Sequence, residues 1–186
     1  MKSFLEFSKE QAEKKKISLI FGRMQPFTAG HKLLFDKAKY EVVIGLVKGK
    51  KTSQDKERNP FSEQLQRTII MKALEEDPKF ESIVTTDSGF IPDLIEKLEK
   101  MNYQVKELFC GSDRVKDYKR MIRDNLIKAD IKLVKIDRDD EDISATKVRD
   151  AIRKNDFKNV KEMMINMTRD LYRQMRKEIN ENNRKI

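Results

Sequence analysis

The chain has 186 residues, 41 of them Lys or Arg and 32 Asp or Glu, for a formal net charge of +9. This length supports one well-cored domain with an appendage, and not comfortably two. A single cysteine, Cys110, excludes an internal disulfide and a Cys-based zinc site. No apolar run is long enough to span a membrane and no signal-peptide core is present, so a cytoplasmic protein without a membrane partner is expected. The basic excess suits a phosphate-rich partner, although acid and base are interleaved and much of the charge equally reads as a solvated surface.

Residues 3–16 carry Phe4, Leu5 and Phe7 ahead of an acidic and then basic tail, and predict a short helical arm over residues 1–15. Residues 16–21 predict a buried strand and residues 30–39 a helix, joined by a loop containing Gly22, Arg23, Met24, Gln25, Thr28 and Gly30 before His31, the single histidine. A strand–loop–helix of this kind aims backbone N–H groups and a helix N-terminus at an anion, most often phosphate. The near-continuous apolar run 40–47 predicts a parallel strand covered on both faces. Residues 48–58 predict a polar surface loop, and Asn59-Pro60-Phe61-Ser62 opens a helix to Leu74, with Pro60 near its first turn.

Further strands are expected over 82–86, 105–110 and 131–136, with helices over 91–101, from about 114 to 127, from 143 onward, from about 155, and over 168–183. Five strand–helix alternations imply an α/β fold: a Rossmann-like, parallel, five-stranded sheet with helices on both faces, plus C-terminal helices. The expected domains are an arm (1–15), the sheet domain (16–155) and a helical extension packed on it (156–186). Ligands in such sheets bind beyond the carboxyl ends of the strands. The loops 22–31, 45–58, 111–114 and 137–149 fall there and hold most of the chemically capable residues.

No Gly-x-x-x-x-Gly-Lys-Ser/Thr or Gly-x-Gly-x-x-Gly is present, and nothing suggests covalent catalysis. What remains is positioning and electrostatics, with Arg23, Thr28, His31, Arg149 and the helix following Gly30 able to converge on a polyphosphate. Mg²⁺ would arrive bound to the phosphates of a nucleoside triphosphate, with no protein residue as its ligand. Ser144-Ala145-Thr146 taken alone reads equally as a helix cap.

These residues resemble a known family. FGRMQPFTAGH, ending at His31, resembles the GRFQPFHxGH loop of the nucleotidyltransferase superfamily, with Thr28 at the first His position, as in the Thr-containing branch. Ile143-Ser144-Ala145-Thr146-Lys147-Val148-Arg149 resembles that family's ISSTxxR motif, with Ala145 in place of the second Ser. Asn59-Pro60-Phe61 followed by Arg67 resembles a segment of archaeal-type nicotinamide mononucleotide adenylyltransferases, and Gly111-Ser112-Asp113-Arg114 falls where relatives carry a Gly-Ser/Asn-Asp loop.

The resemblance implies an enzyme that moves a nucleoside monophosphate, AMP from ATP foremost, to a phosphate-bearing acceptor with release of pyrophosphate. The favoured acceptor is nicotinamide mononucleotide, giving NAD. Phosphopantetheine, FMN and a phosphorylated alcohol activated with CTP remain alternatives. Thr28 and His31 would contact the triphosphate, with His31 stabilising the α-phosphate. Ser144 and Thr146 would bind the β- and γ-phosphates, and Arg149 would neutralise the departing pyrophosphate. Gly22, Arg23, Met24, Gln25, Gly30, Gly111, Asp113 and Arg114 would complete the nucleotide site. Lys48, Lys50, Lys51, Asn59 and Arg67 are the candidates for holding the acceptor. A non-catalytic nucleotide- or nucleic-acid-binding module is the reading from another class. Nucleic acid is disfavoured as a partner because the catalytic motifs are intact, and a homo-oligomer is compatible with the sequence.

Overall fold

Apolar runs become strands wherever both faces of the sheet are covered. A computed structural model describes residues 13–48, 54–136 and 144–183. The expected arm up to residue 12, Lys50, Lys51, the acidic loop 137–142 and Ile143 lie outside the described residues. The strands are β1 (Lys15–Gly22), β2 (Glu41–Val47), β3 (Phe80–Thr86), β4 (Tyr103–Gly111) and β5 (Lys132–Ile136). They form one sheet in the order β3-β2-β1-β4-β5, and every pairing is parallel. Seven helices appear among the described residues: α1 (Ala29–Lys37), α2 (Glu63–Leu74), α3 (Ile91–Lys100), α4 (Val115–Arg123), α5 (Ala145–Arg153), α6 (Phe157–Met163) and α7 (Arg169–Asn183). The sequence-based fold class is therefore observed.

Strand residues alternate between two cores. Ile20, Val42, Ile44, Leu46 and Phe109 face a core shared with α1, α2 and α5–α7, to which α7 contributes Leu171, Tyr172, Met175 and Ile179. Ile17, Leu19, Val43, Val105 and Leu108 face the other core, shared with α3 and α4. Gly45 belongs on that second face because α3 packs tightly over it: a Cβ there would lie 2.5 Å from Leu94 Cδ2 and 3.0 Å from Phe21 Cδ2. The Lys79 ammonium donates to the Phe35 and Ala38 carbonyls at 2.9 Å each, satisfying acceptors left over at the end of α1.

Three boundaries differ from expectation. Lys15, assigned from sequence to the arm, pairs with Tyr103 inside β1. Pro60 precedes α2 and does not sit in its first turn, because Ser62 is the N-cap and accepts from Leu65 N. α4 stops at Arg123: Asn125 takes a φ of 57°, and the chain folds back so that Leu126 N bonds to Met121 O at 2.8 Å and Ile127 enters the core.

The order places β1 beside β4, so the chain leaves these neighbours toward opposite faces. The crevice above their carboxyl ends is where open sheets of this type bind ligands. No helix among the described residues is long and apolar enough to cross a membrane.

Candidate functional site

The loop leaving β1 is built out of the core. Met24, Gln25, Phe27 and Thr28 are all buried. Met24 has a φ of 46°, the left-handed region, where a residue with a long side chain costs about 1–3 kcal/mol. Such a conformation persists only when its surroundings over-determine it, and here two side chains do so. The Gln66 amide donates to both the Arg23 and Met24 carbonyls. The Gln25 amide pairs reciprocally with the Phe61 backbone, donating to Phe61 O and accepting from Phe61 N at 3.0 Å each.

The loop delivers His31 in a fixed orientation. Thr28 is the N-cap of α1; its N–H lies 3.1 Å and its Oγ1 2.8 Å from His31 Nδ1. A backbone N–H can only donate, so this network assigns Nδ1 as the acceptor and leaves the proton of the neutral ring on Nε2. Phe27 stacks on the ring at a centroid distance of 5.4 Å. Thr28 itself is fully buried and does not line the cleft, so its observed contacts hold the imidazole from beneath.

The opposite side is built by α5. Ser144 caps it, accepting Lys147 N–H at 3.2 Å. Arg149, one turn along, is 8% exposed. Its Nη1 donates to the Gln25 carbonyl and its Nη2 to Thr146 Oγ1 at 3.0 Å, while its buried Nε has no partner among the described residues. Burial, followed by the like charges of Arg153 and Arg23, lowers its pKa from the ordinary guanidinium value. A buried cation with a spare donor and no paired carboxylate among the described residues is costly unless an anion completes it.

Between these two sides lies a cleft of 540 Å³. It brings together Gly22, Arg23, Met24, Gln25, His31, Gly111, Asp113, Arg114, Ser144, Thr146 and Arg149, each singled out from sequence. Lys48, Asn59, Arg67 and Gly30 do not line it. Lys48 pairs with Glu63 at 2.9 Å. Asn59 is buried, with its amide on the Asp55 carbonyl. Arg67 is engaged by Glu63, the Ile83 carbonyl and Thr85, tying α2 to β3. These contacts engage the three residues that the sequence offered to an acceptor, although the buried Asn59 Oδ1 has no partner among the described residues. Lys51 lies outside the described residues.

Sequence reasoning missed Arg58, Asp117, Tyr118 and Met121, which also line the cleft. The last three share one face of α4 at i, i+1 and i+4, a pattern readable once that helix is known to rise from the 111–114 loop. Gln66 was missed as well; its signal was a polar residue inside the apolar stripe of α2. Burial and then the Asp113 charge raise the Cys110 thiol pKa, which leaves it a poor nucleophile.

The cleft sets Arg23, Arg58, Arg114, Arg149 and His31 against Asp113 and Asp117. No three metal-ligating side chains gather among the described residues. The arginines and His31 of this lining suit the phosphates on which a divalent ion would arrive.

The solved structures similar to this chain include the following. Nicotinic acid mononucleotide adenylyltransferase of Plasmodium falciparum complexed with APC superposes with a TM-score of 0.53 at 15% identity, over 91% of this chain and 96% of that one. The same enzyme with NaAD gives 0.54 at 16%, over 91% and 96%. A proposed nicotinate-nucleotide adenylyltransferase of Vibrio parahaemolyticus gives 0.59 at 13%, over 87% and 98%. At these identities the likeness is one of fold. Residues 84–172 match the model of the citrate lyase ligase C-terminal domain, a stretch that includes the 111–114 loop and all of α5. No curated protein sequence matches the chain.

Proposed function

We propose that the chain is a nucleotidyltransferase that moves AMP from ATP to the phosphate of a pyridine mononucleotide, nicotinamide mononucleotide foremost, releasing pyrophosphate and forming NAD. The observation that carries this reading is the placing of His31 and the buried Arg149, whose Nε has no partner among the described residues, on one cleft at the β1/β4 switch point. The likeness in fold to adenylyltransferases acting on nicotinic acid mononucleotide supports the substrate class.

In this reading the triphosphate lies along the cleft between α1 and α5. A phosphate oxygen of the acceptor attacks the α-phosphorus, and the bond to the α–β bridging oxygen breaks with its electron pair leaving on pyrophosphate. His31 Nε2–H donates to the α-phosphate as charge accumulates there, and Thr28 keeps that proton on Nε2. Ser144 accepts the Lys147 N–H at the helix cap and Thr146 accepts Arg149 Nη2–H, so their O–H groups donate to β- and γ-phosphate oxygens. Arg149 Nε completes its donors on the leaving pyrophosphate, where charge grows during the step. Mg²⁺ bound to the phosphates would supply further charge neutralisation. The exposed Arg23, Arg58 and Arg114 rim the mouth and suit the phosphate of the acceptor.

The test is pyrophosphate release from the full chain with Mg²⁺, each nucleoside triphosphate and a panel of nicotinamide mononucleotide, nicotinic acid mononucleotide, phosphopantetheine, FMN and phosphorylated alcohols. Turnover with ATP and nicotinamide mononucleotide is expected. Turnover with another pair alone would move the acceptor within the class. Nucleotide binding with no turnover on any pair would overturn the enzyme reading.

A further inference from the structure

The last helix reaches the phosphate clamp through an unbroken series of hydrogen bonds. Near the end of α7, the Glu178 carboxylate accepts the Ser62 N–H at 2.7 Å and the Ser62 O–H at 2.6 Å, one on each oxygen. One turn later the Asn182 amide donates to the Pro60 carbonyl at 2.9 Å. Between those anchors Phe61 exchanges both its backbone bonds with the Gln25 side chain, and the Gln25 carbonyl receives Arg149 Nη1. Glu178 lies at the N-terminus of α2, where a carboxylate also interacts favourably with the helix dipole. Neither Glu178 nor Asn182 lines the cleft.

We propose that Glu178, supported by Asn182, is a positioning residue for the phosphate clamp. It fixes the 60–62 segment, that segment fixes Gln25, and the Gln25 carbonyl sets the direction of the Arg149 guanidinium. Any effect of Glu178 on turnover passes through these contacts, since its carboxylate touches neither substrate nor a cleft residue directly. The proposal rests on the nucleotidyl-transfer reading above.

A double-mutant cycle on the full chain tests it, with Glu178→Ala, Gln25→Ala and the pair. Asn166→Ala serves as the control: it removes a different bond to α2, from the turn between α6 and α7, Asn166 Nδ2 to Lys72 O at 2.9 Å, outside the series. The readouts are kcat and KM for ATP with nicotinamide mononucleotide, and the calorimetric affinity for inorganic pyrophosphate. Glu178→Ala is expected to lower kcat about tenfold with a smaller change in KM, and to have no further effect once Gln25 is Ala. Glu178→Gln, which keeps one acceptor oxygen, is expected to recover part of the loss. Additive losses in the double mutant, or equal losses in Glu178→Ala and Asn166→Ala, overturn the proposal. Where wild type turns over no acceptor, the pyrophosphate titration decides: Gln25-dependent weakening by Glu178→Ala sustains the positioning role while the transfer reading falls, and unchanged affinity overturns it. Asn182→Ala, which removes the neighbouring bond to the Pro60 carbonyl, takes the place of Glu178→Ala if that variant does not fold.

Discussion

The Arg149 guanidinium is buried, spends two nitrogens on Gln25 and Thr146, and keeps Nε without a partner among the described residues. Its position three residues after Thr146 places the two groups on the same face of α5, so the motif spacing is a spacing of donors. Arg149→Ala is expected to lower kcat by roughly 10²–10³ with a modest change in nucleotide affinity, because its contact strengthens as the pyrophosphate leaves. Arg149→Lys restores the charge but cannot bridge Gln25 and Thr146 with one ammonium, so it recovers little of that rate. Steady-state kinetics with ATP on the two variants provide the measurement. Thr28, offered by the sequence to the triphosphate, lies under the imidazole in the fold, where its N–H selects the tautomer.

α2 stabilises the loop after β1 more than its own amphipathic pattern suggests. Gln66 sits in the buried stripe with Leu65, Ile69 and Ile70 and bonds two loop carbonyls. Gln66→Leu keeps the volume and the helix propensity but leaves those carbonyls unpaired. It is expected to cost about 1–3 kcal/mol in urea unfolding, with the m-value unchanged. The strands were readable because their apolar runs are covered on both faces, and β1 and β2 are the clearest cases. The loop was not readable in the same way. What GRMQPFT does not reveal is its burial, which depends on Phe61 and Gln66, 36 and 43 residues further on. The end of α4 was misplaced for a related reason: Ile127 continues the helical spacing in sequence, yet reaches the core only through the turn at Asn125.

The sheet is secured at several points by carboxylates that are ionised in the folded chain. Glu63 is pulled from the ordinary 4.5 to about 2 by the Thr85 hydroxyl, then by Lys48 and Arg67, against its burial. Burial alone would raise the buried Glu107; the Lys39 N–H, the Ser18 hydroxyl and Lys132 outweigh it and leave it below its usual value. Both groups bind protons more tightly in the unfolded chain. Their stabilisation is therefore complete above the unfolded pKa of about 4.3 and is lost as pH falls toward the folded one. The melting temperature is expected to fall between about pH 5 and pH 2, and Glu63→Gln to flatten that fall, as thermal unfolding across the range would record. The stretches 22–31 and 144–149 could be singled out in sequence, more than a hundred residues apart, because each is local; the links between them through Gln25, Phe61 and α7 could not, because each joins distant stretches of chain.

The cleft has two unlike banks. Met24, Gln25 and Arg149 belong to the interior, whereas Arg58, Asp113 and Arg114 meet water. Replacing a surface residue of the second kind typically changes stability by no more than about 0.5 kcal/mol, whereas the first kind is felt throughout the core. Tolerance to substitution therefore falls on one side: the residues we propose for phosphate are held by folding, while Arg58, Asp113 and Arg114 can be exchanged with the chain still folded.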